Sequence, residues 1–168
     1  GDARAPLFTD QDEEKLLNEL SQMSNKNHLR LTKLALMTGF RRSELLSLNW
    51  SNIDLHKEKI YIRRKECAAK GSSSSMRMVP LSHKAKDLLR SLENKKGKVI
   101  NLTEGSARNG FERARKKAGL LNLRFHDLRH IAISRMWSYG MNALEISACS
   151  GHRDIKMLMR YSHFQLSI

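Results

Sequence analysis

In one stretch of this chain the apolar period drops to two, and that stretch constrains the fold most. Ile60 and Ile62 alternate with Tyr61 and Arg63, and a second short run covers Met76 to Leu81, ended by Pro80. Alternation of this kind marks half-buried strands. Between the runs lie Cys67-Ala68-Ala69-Lys70-Gly71 and four serines, which read as a hairpin loop. Any fold must therefore seat a strand pair among helices, because the longer periods elsewhere are helical. Thr9 followed by Asp12 starts a helix, with Leu16, Leu17 and Leu20 on one face. A second helix is expected from about Leu29 to Met37, stopped by Thr38-Gly39, and a third from Arg41 to Leu48. Ser82 caps a helix reaching about Glu93, and another runs from about Ser106 to Ala118. Leu128, Ile131, Ala132 and Met136 mark a helix that begins near His126 and stops at Gly140. A short helix near Asn142 to Cys149, the turn Ser150-Gly151-His152 and a last helix carrying Tyr161 complete the chain. Val99-Ile100 is too short to assign, and there are no internal repeats.

The length, 168 residues with 40% hydrophobic, suits one domain with its own core. Lys and Arg number 31 against 17 acids, a net charge of +14 spread along the chain. A folded domain this basic suggests a polyanionic partner, most often nucleic acid. Membrane attachment is disfavoured: there is no concentrated polybasic or amphipathic segment and no apolar run near the roughly 20 residues of a spanning helix. No signal peptide is expected. Cys67 and Cys149 form no motif, which fits a reducing cytoplasm. The opening at Gly1 reads as a boundary, with a preceding domain expected beyond it.

Several small constellations carry chemistry. His126 and Arg129 lie three apart in the first turn of a helix, where free N–H groups and the macrodipole favour an anion. Taken alone, His126 as a cap and Arg129 as a solvated charge is the plainer reading. Arg41 and Glu44 are also three apart in a first turn, and a carboxylate there can fix a guanidinium whose fork matches two phosphate oxygens. An ordinary surface pair, worth roughly 0.3–0.5 kcal/mol, is the plainer reading of these two. Lys70 precedes Gly71 in the hairpin loop, Gly151-His152 resembles a simple helix cap, and Tyr161 a core aromatic.

In order, Gly-x-Arg-x-x-Glu at Gly39–Glu44, the hairpin Lys70, His-x-x-Arg at His126–Arg129, Gly151-His152 and Tyr161 nine residues later make a combined pattern. It resembles the catalytic domain of the tyrosine recombinases, the phage integrase family. The likeness runs from about Leu7 to His163. Leu45-Leu46-Ser47-Leu48-Asn49-Trp50 with Ile53-Asp54, Val79-Pro80-Leu81 and Tyr161-Ser162-His163 extend it.

The resemblance implies a mainly α (α+β) fold: a helical catalytic domain with a small antiparallel sheet from about Lys59 to Leu81, of the integrase-like DNA breaking-rejoining type. It implies one catalytic domain over residues 1–168, with the family's N-terminal DNA-clamping domain absent. It implies strand cleavage and rejoining through a 3′-phosphotyrosyl intermediate. Arg41 and Arg129 would bind the scissile phosphate and stabilise its pentacoordinate transition state. Tyr161 would be the nucleophile and Lys70 the acid that protonates the leaving 5′ oxygen. His126 would move protons, His152 would donate a hydrogen bond to the phosphate, and Glu44 would support Arg41. The tyrosyl ester retains the bond energy, so no ATP, metal or other cofactor is implied. The implied partners are double-stranded DNA, further copies of the protein in a tetrameric synapse, and accessory DNA-bending proteins, with no membrane; the location is cytoplasmic and DNA-associated, in a prokaryote, phage or mobile element. The Lys70 loop is longer than the family usually has, and only seven residues follow Tyr161. His130 and His163 receive no role. Arg42, Lys57, Arg63, Arg64, Arg77, Arg113, Arg115 and Lys116 are candidates for nonspecific phosphate contacts, although a solvated surface charge is the plainer reading of any one of them.

The main rival is a zinc hydrolase, since His126 and His130 are four apart on a helix with Asp127 after the first and His152 as a third ligand. Arg129 would then put a cation beside the metal, and the net charge would have no use. A DNA-binding module without chemistry would not need Tyr161. A topoisomerase of related fold shares the nucleophile, but the segment pattern favours the integrase branch.

Overall fold

In a computed structural model, residues 7–63, 76–152 and 154–160 are described. Among them the order is α1 (Asp10–Ser21), α2 (Asn27–Thr38), α3 (Arg42–Ser47), a 3₁₀ turn (Trp50–Asn52), β1 (Ile53–Asp54), β2 (Lys59–Arg63), β3 (Met76–Pro80), α4 (His83–Ser91), α5 (Glu104–Lys117), α6 (Asp127–Ser138), α7 (Ala143–Ser150) and α8 (Ile155–Met159). The class is mainly helical with one small antiparallel sheet, as expected. Lys70 and Tyr161 lie outside the described residues, as do the hairpin loop and the expected placement of Tyr161 on the last helix.

Local chemistry sets most boundaries. The Thr9 hydroxyl accepts the Asp12 N–H at 3.1 Å and the Asp12 carboxylate accepts the Thr9 N–H at 3.0 Å, a reciprocal cap that starts α1. Thr103 caps α5 by accepting the Ser106 N–H, so that helix begins at Glu104, two residues earlier than expected. Ser82 caps α4. The sheet also begins earlier than expected, because β1 pairs with β2 through Ile53–Ile60. A two-residue strand has too few positions to show alternation.

The sheet order is β1-β2-β3, antiparallel, with Ile60 opposite Val79 and Ile62 opposite Arg77. Ile60, Ile62 and Val79 turn into the core, and Arg77 shares that buried face. The segment around Val99 and Ile100 ties back to the 3₁₀ turn: the Trp50 N–H donates to Gly97 at 2.9 Å and the Val99 N–H to Leu48 at 3.0 Å. Helix α6 packs against α2 and is buried on nearly all sides, which is why its apolar residues show little one-sidedness. Leu34 in α2 and Leu128 in α6 are fully buried, and truncating either to Ala would cost about 2–5 kcal/mol. This packing fixes the C-terminal end of α2 against the middle of α6, and both helices lead into the site.

Candidate active site

Arg41 is the N-cap residue of α3, in extended conformation just after the α2 stop. Its backbone N–H donates to Glu44 Oε1 at 2.9 Å. Its guanidinium meets the same oxygen only loosely, with Nη1 at 3.8 Å, and its side chain is 39% exposed. The other Glu44 oxygen is taken: Arg77 Nη1 donates to Oε2 at 2.7 Å. Burial pushes the Glu44 carboxyl up. The Arg77 hydrogen bond, the Arg41 N–H and the two guanidinium charges outweigh it, so its pKa lies below the ordinary value.

Arg129 is buried in the first turn of α6. Its Nη1 donates to the Gly39 carbonyl at 2.8 Å and its Nη2 to the Ser150 carbonyl at 2.8 Å. One guanidinium therefore joins the end of α2 to the end of α7. Those two helices both end on a glycine with positive φ, Gly39 at 72° and Gly151 at 77°. The α7 stop delivers His152 beside Arg129, whose Nη2 lies 3.4 Å from Nδ1 and 3.5 Å from Nε2. His152 Nδ1 also lies 2.7 Å from the Ser150 hydroxyl. Burial, then the Arg129 and Arg41 charges, push the His152 pKa down to about 4. The imidazole is thus neutral near pH 7, with one ring N–H to donate and one nitrogen to accept.

His126 occupies the N-cap of α6 without capping it through its side chain. Asp127 reaches back instead, its Oδ2 accepting the Arg124 N–H at 2.8 Å. The His126 ring stands edge-to-face on His130, centroids 5.0 Å apart. His126 is exposed overall, yet local desolvation of its ring lowers its pKa first, followed by the charges of His130, Arg129 and Arg41.

The five described candidates therefore converge. Arg41, Glu44, His126, Arg129 and His152 come from three separate stretches, and Arg41 and Arg129 act on both histidines. The result is a cationic cluster of two guanidinium groups and two imidazoles with lowered pKa values, suited to a phosphate whose charge grows during reaction. Among the described residues no three His, Cys, Asp or Glu side chains are grouped as metal ligands would be.

Two residues here were not singled out from sequence. Ser150 gave no signal beyond standing before a glycine. Arg77 stood only among candidate phosphate contacts, and the structure corrects that: it is 7% exposed and ion-paired inside. Its parity with Val79 on β3 was the available signal. Arg42 is likewise engaged, with Glu104 at 3.2 Å and over the Phe125 ring, and Arg115 pairs with Glu112. Lys57, Arg63, Arg113 and Lys116 are exposed, and Arg64 lies outside the described residues.

A helical domain with this cluster at the meeting of α2, α3, α6 and α7 defines a class, and comparison with known proteins identifies it. The phage integrase family profile matches residues 7–167, and the chain belongs to that family. It is 35% identical over 155 residues to the shufflon-specific DNA recombinase of Escherichia coli, covering 91% of this chain and 39% of the relative. It is 36% identical over 153 residues to the integrase of Escherichia phage 186, covering 89% of this chain and 41% of the relative. The chain thus spans about two fifths of the length of these curated relatives. The solved catalytic domain of bacteriophage HP1 integrase superposes with a TM-score of 0.78 at 29% identity, covering 98% of this chain and 90% of that one. No helix among the described residues is long and apolar enough to cross a membrane.

Proposed function

We propose that this chain is the catalytic domain of a site-specific tyrosine recombinase that cleaves and rejoins duplex DNA. The observation that carries the reading is the convergence of Arg41, Arg129, His126 and His152 from distant stretches into one cationic site. Family membership and the recombinase and integrase relatives support it. In this reading the Tyr161 hydroxyl oxygen attacks the scissile phosphorus, the bond from phosphorus to the 5′ oxygen breaks, and Lys70 gives that oxygen its proton. The product is a 3′-phosphotyrosyl ester and a free 5′ hydroxyl. Reversal by another 5′ hydroxyl rejoins the strand with no ATP or metal. Arg41 and Arg129 stabilise the charge on the pentacoordinate phosphorus, and each such interaction is worth about 10²–10³ in rate. His152, neutral, donates its ring N–H to a phosphate oxygen, and His126 relays the nucleophile's proton. Duplex DNA is the substrate. The net charge of +14 favours its backbone, and binding should fall steeply with salt as counterions are released. Recombination between two sites needs four strands cut, so four copies would act together.

The test uses the full-length protein and a nicked duplex carrying its recombination site, recovered by selection from a randomised pool. With the nick close to the scissile phosphate, the short 5′-hydroxyl fragment diffuses away and rejoining fails. A denaturation-resistant protein–DNA adduct should form in EDTA and map to the peptide containing Tyr161. Tyr161→Phe should abolish it with DNA binding nearly unchanged. Cleavage with no adduct and a need for metal would falsify the reading.

A further inference from the structure

Among the described residues of the sheet, Arg77 is the arginine that turns inward, and three contacts define what it does. Nη1 donates to Glu44 Oε2 at 2.7 Å, with both side chains largely buried. Nη2 donates to the Cys149 carbonyl at 3.3 Å, in the last turn of α7. The guanidinium also lies over the Phe40 ring, 5.6 Å from its centroid. A Cβ placed on Gly151 would fall 2.8 Å from Arg77 Cζ, so the chain entering His152 is threaded against this side chain.

The consequence concerns Arg41. Glu44 is a partly buried carboxylate, its side chain 12% exposed, with two oxygens to satisfy. Oε1 takes the Arg41 backbone N–H and faces the Arg41 guanidinium at a loose 3.8 Å. Without Arg77, Oε2 would lose its donor, and an uncompensated buried charge is strongly destabilising. Arg41 is the near cation. A shift of about 1 Å would bring its guanidinium to the usual 2.7–2.9 Å of a charge-assisted bond. It would then be drawn inward, away from any ligand.

We propose that Arg77 is a positioning residue for the reaction: it occupies Glu44 so that Arg41 stays available to the phosphate, and it holds the end of α7 that presents His152. This rests on the recombinase reading above. It assigns Arg77 no contact with substrate and makes it a decoy partner for the carboxylate.

The distinguishing property is the sign of its coupling to Glu44. In the full-length protein, single-turnover cleavage of the nicked duplex should fall on the order of 100-fold in R77M, with the dissociation constant for the same duplex within about threefold. Adding E44Q to R77M should raise the rate by about tenfold, because the carboxylate that captures Arg41 is gone, although E44Q alone slows the wild type. A merely structural strut predicts the opposite, a double variant no faster than R77M, and that result would overturn the proposal. So would R77M cleaving at the wild-type rate. If R77M does not fold by circular dichroism, R77K carries the test. It keeps a cation on Glu44 and should cleave within about tenfold of wild type; a loss as large as that of Arg41→Ala would overturn the proposal. Wild-type protein that forms no adduct at all would remove the recombinase reading and this inference with it, an outcome separate from any difference among the variants.

Discussion

Two helix ends frame the site and look alike in sequence, yet they are built under different constraints. The end of α2 is Gly39 and the end of α7 is Gly151, both with positive φ, and Arg129 takes a carbonyl from each end. At Gly39 an added Cβ would meet Ala132 at 3.5 Å, an ordinary contact. At Gly151 it would strike the Arg77 guanidinium at 2.8 Å. One glycine is required by backbone conformation alone. The other is required by conformation and by a buried side chain pressed against it. The same motif therefore marks a simple helix stop in one place and a crowded junction in the other.

The largest effect should come from cutting the link between the two ends. Arg129→Ala leaves the Gly39 and Ser150 carbonyls without this donor, and each unsatisfied buried acceptor costs about 1–3 kcal/mol. We expect a loss of about 3–5 kcal/mol in urea unfolding, and cleavage reduced by orders of magnitude. A loss below about 1 kcal/mol would mean that the two ends are held together by packing alone. Next in size is Gly151→Ala, at about 2–3 kcal/mol, from left-handed strain plus displacement of Arg77. Gly39→Ala should cost only the strain, about 1 kcal/mol. Equal losses at the two glycines would break the comparison. Gly151→Ala in an R77M background should then cost no more than Gly39→Ala, since the obstructing guanidinium is gone.

The same contrast explains what the sequence could disclose. Arg41 with Glu44, and His126 with Arg129, are three residues apart on helices, so their shared faces follow from local geometry. The glycine stops before Arg41 and His152 are legible for the same reason. Arg77 and Glu44 are 33 residues apart, and Arg129 reaches the Gly39 carbonyl across 90. No local pattern announces such a pair. Arg77 shares the parity of Val79 on β3, but a charge at that register reads as solvent-facing until its partner Glu44, 33 residues away, is in place. The strand at Ile53–Asp54 is too short to have a period, and α5 could begin at any of the polar residues near Thr103. The convergence of the site came from family resemblance, because spacing within one chain does not bring α2, α6 and α7 together.

The smallest effect is a pH dependence that separates the two ends by their titrating groups. At the α7 end, His152 faces Arg129, Arg41, His130 and Arg77, and burial with these charges holds its pKa at about 4 against an ordinary 6.5. The folded state therefore resists a proton that the unfolded chain accepts below about pH 6.5. The contribution of neutral His152 is complete above that pH and is lost as pH falls toward 4. At the α3 end, Glu44 has a lowered pKa, so its contribution is present above its ordinary 4.5 and is lost only below it. Between pH 6.5 and 4.5 the α7 end should weaken while the Glu44 end does not. His126 and His28 also have lowered pKa values, so a bare stability profile would mix three histidines. His152→Gln isolates one of them. Urea unfolding of wild type and His152→Gln should give profiles whose difference is constant above about pH 6.5 and shrinks steadily toward pH 4.5, with wild type losing the more stability. Parallel profiles across that window would show that His152 titrates normally in the fold, and its ring would then have to be more open to water than its burial here implies, with the Arg129 contact looser than 3.4 Å.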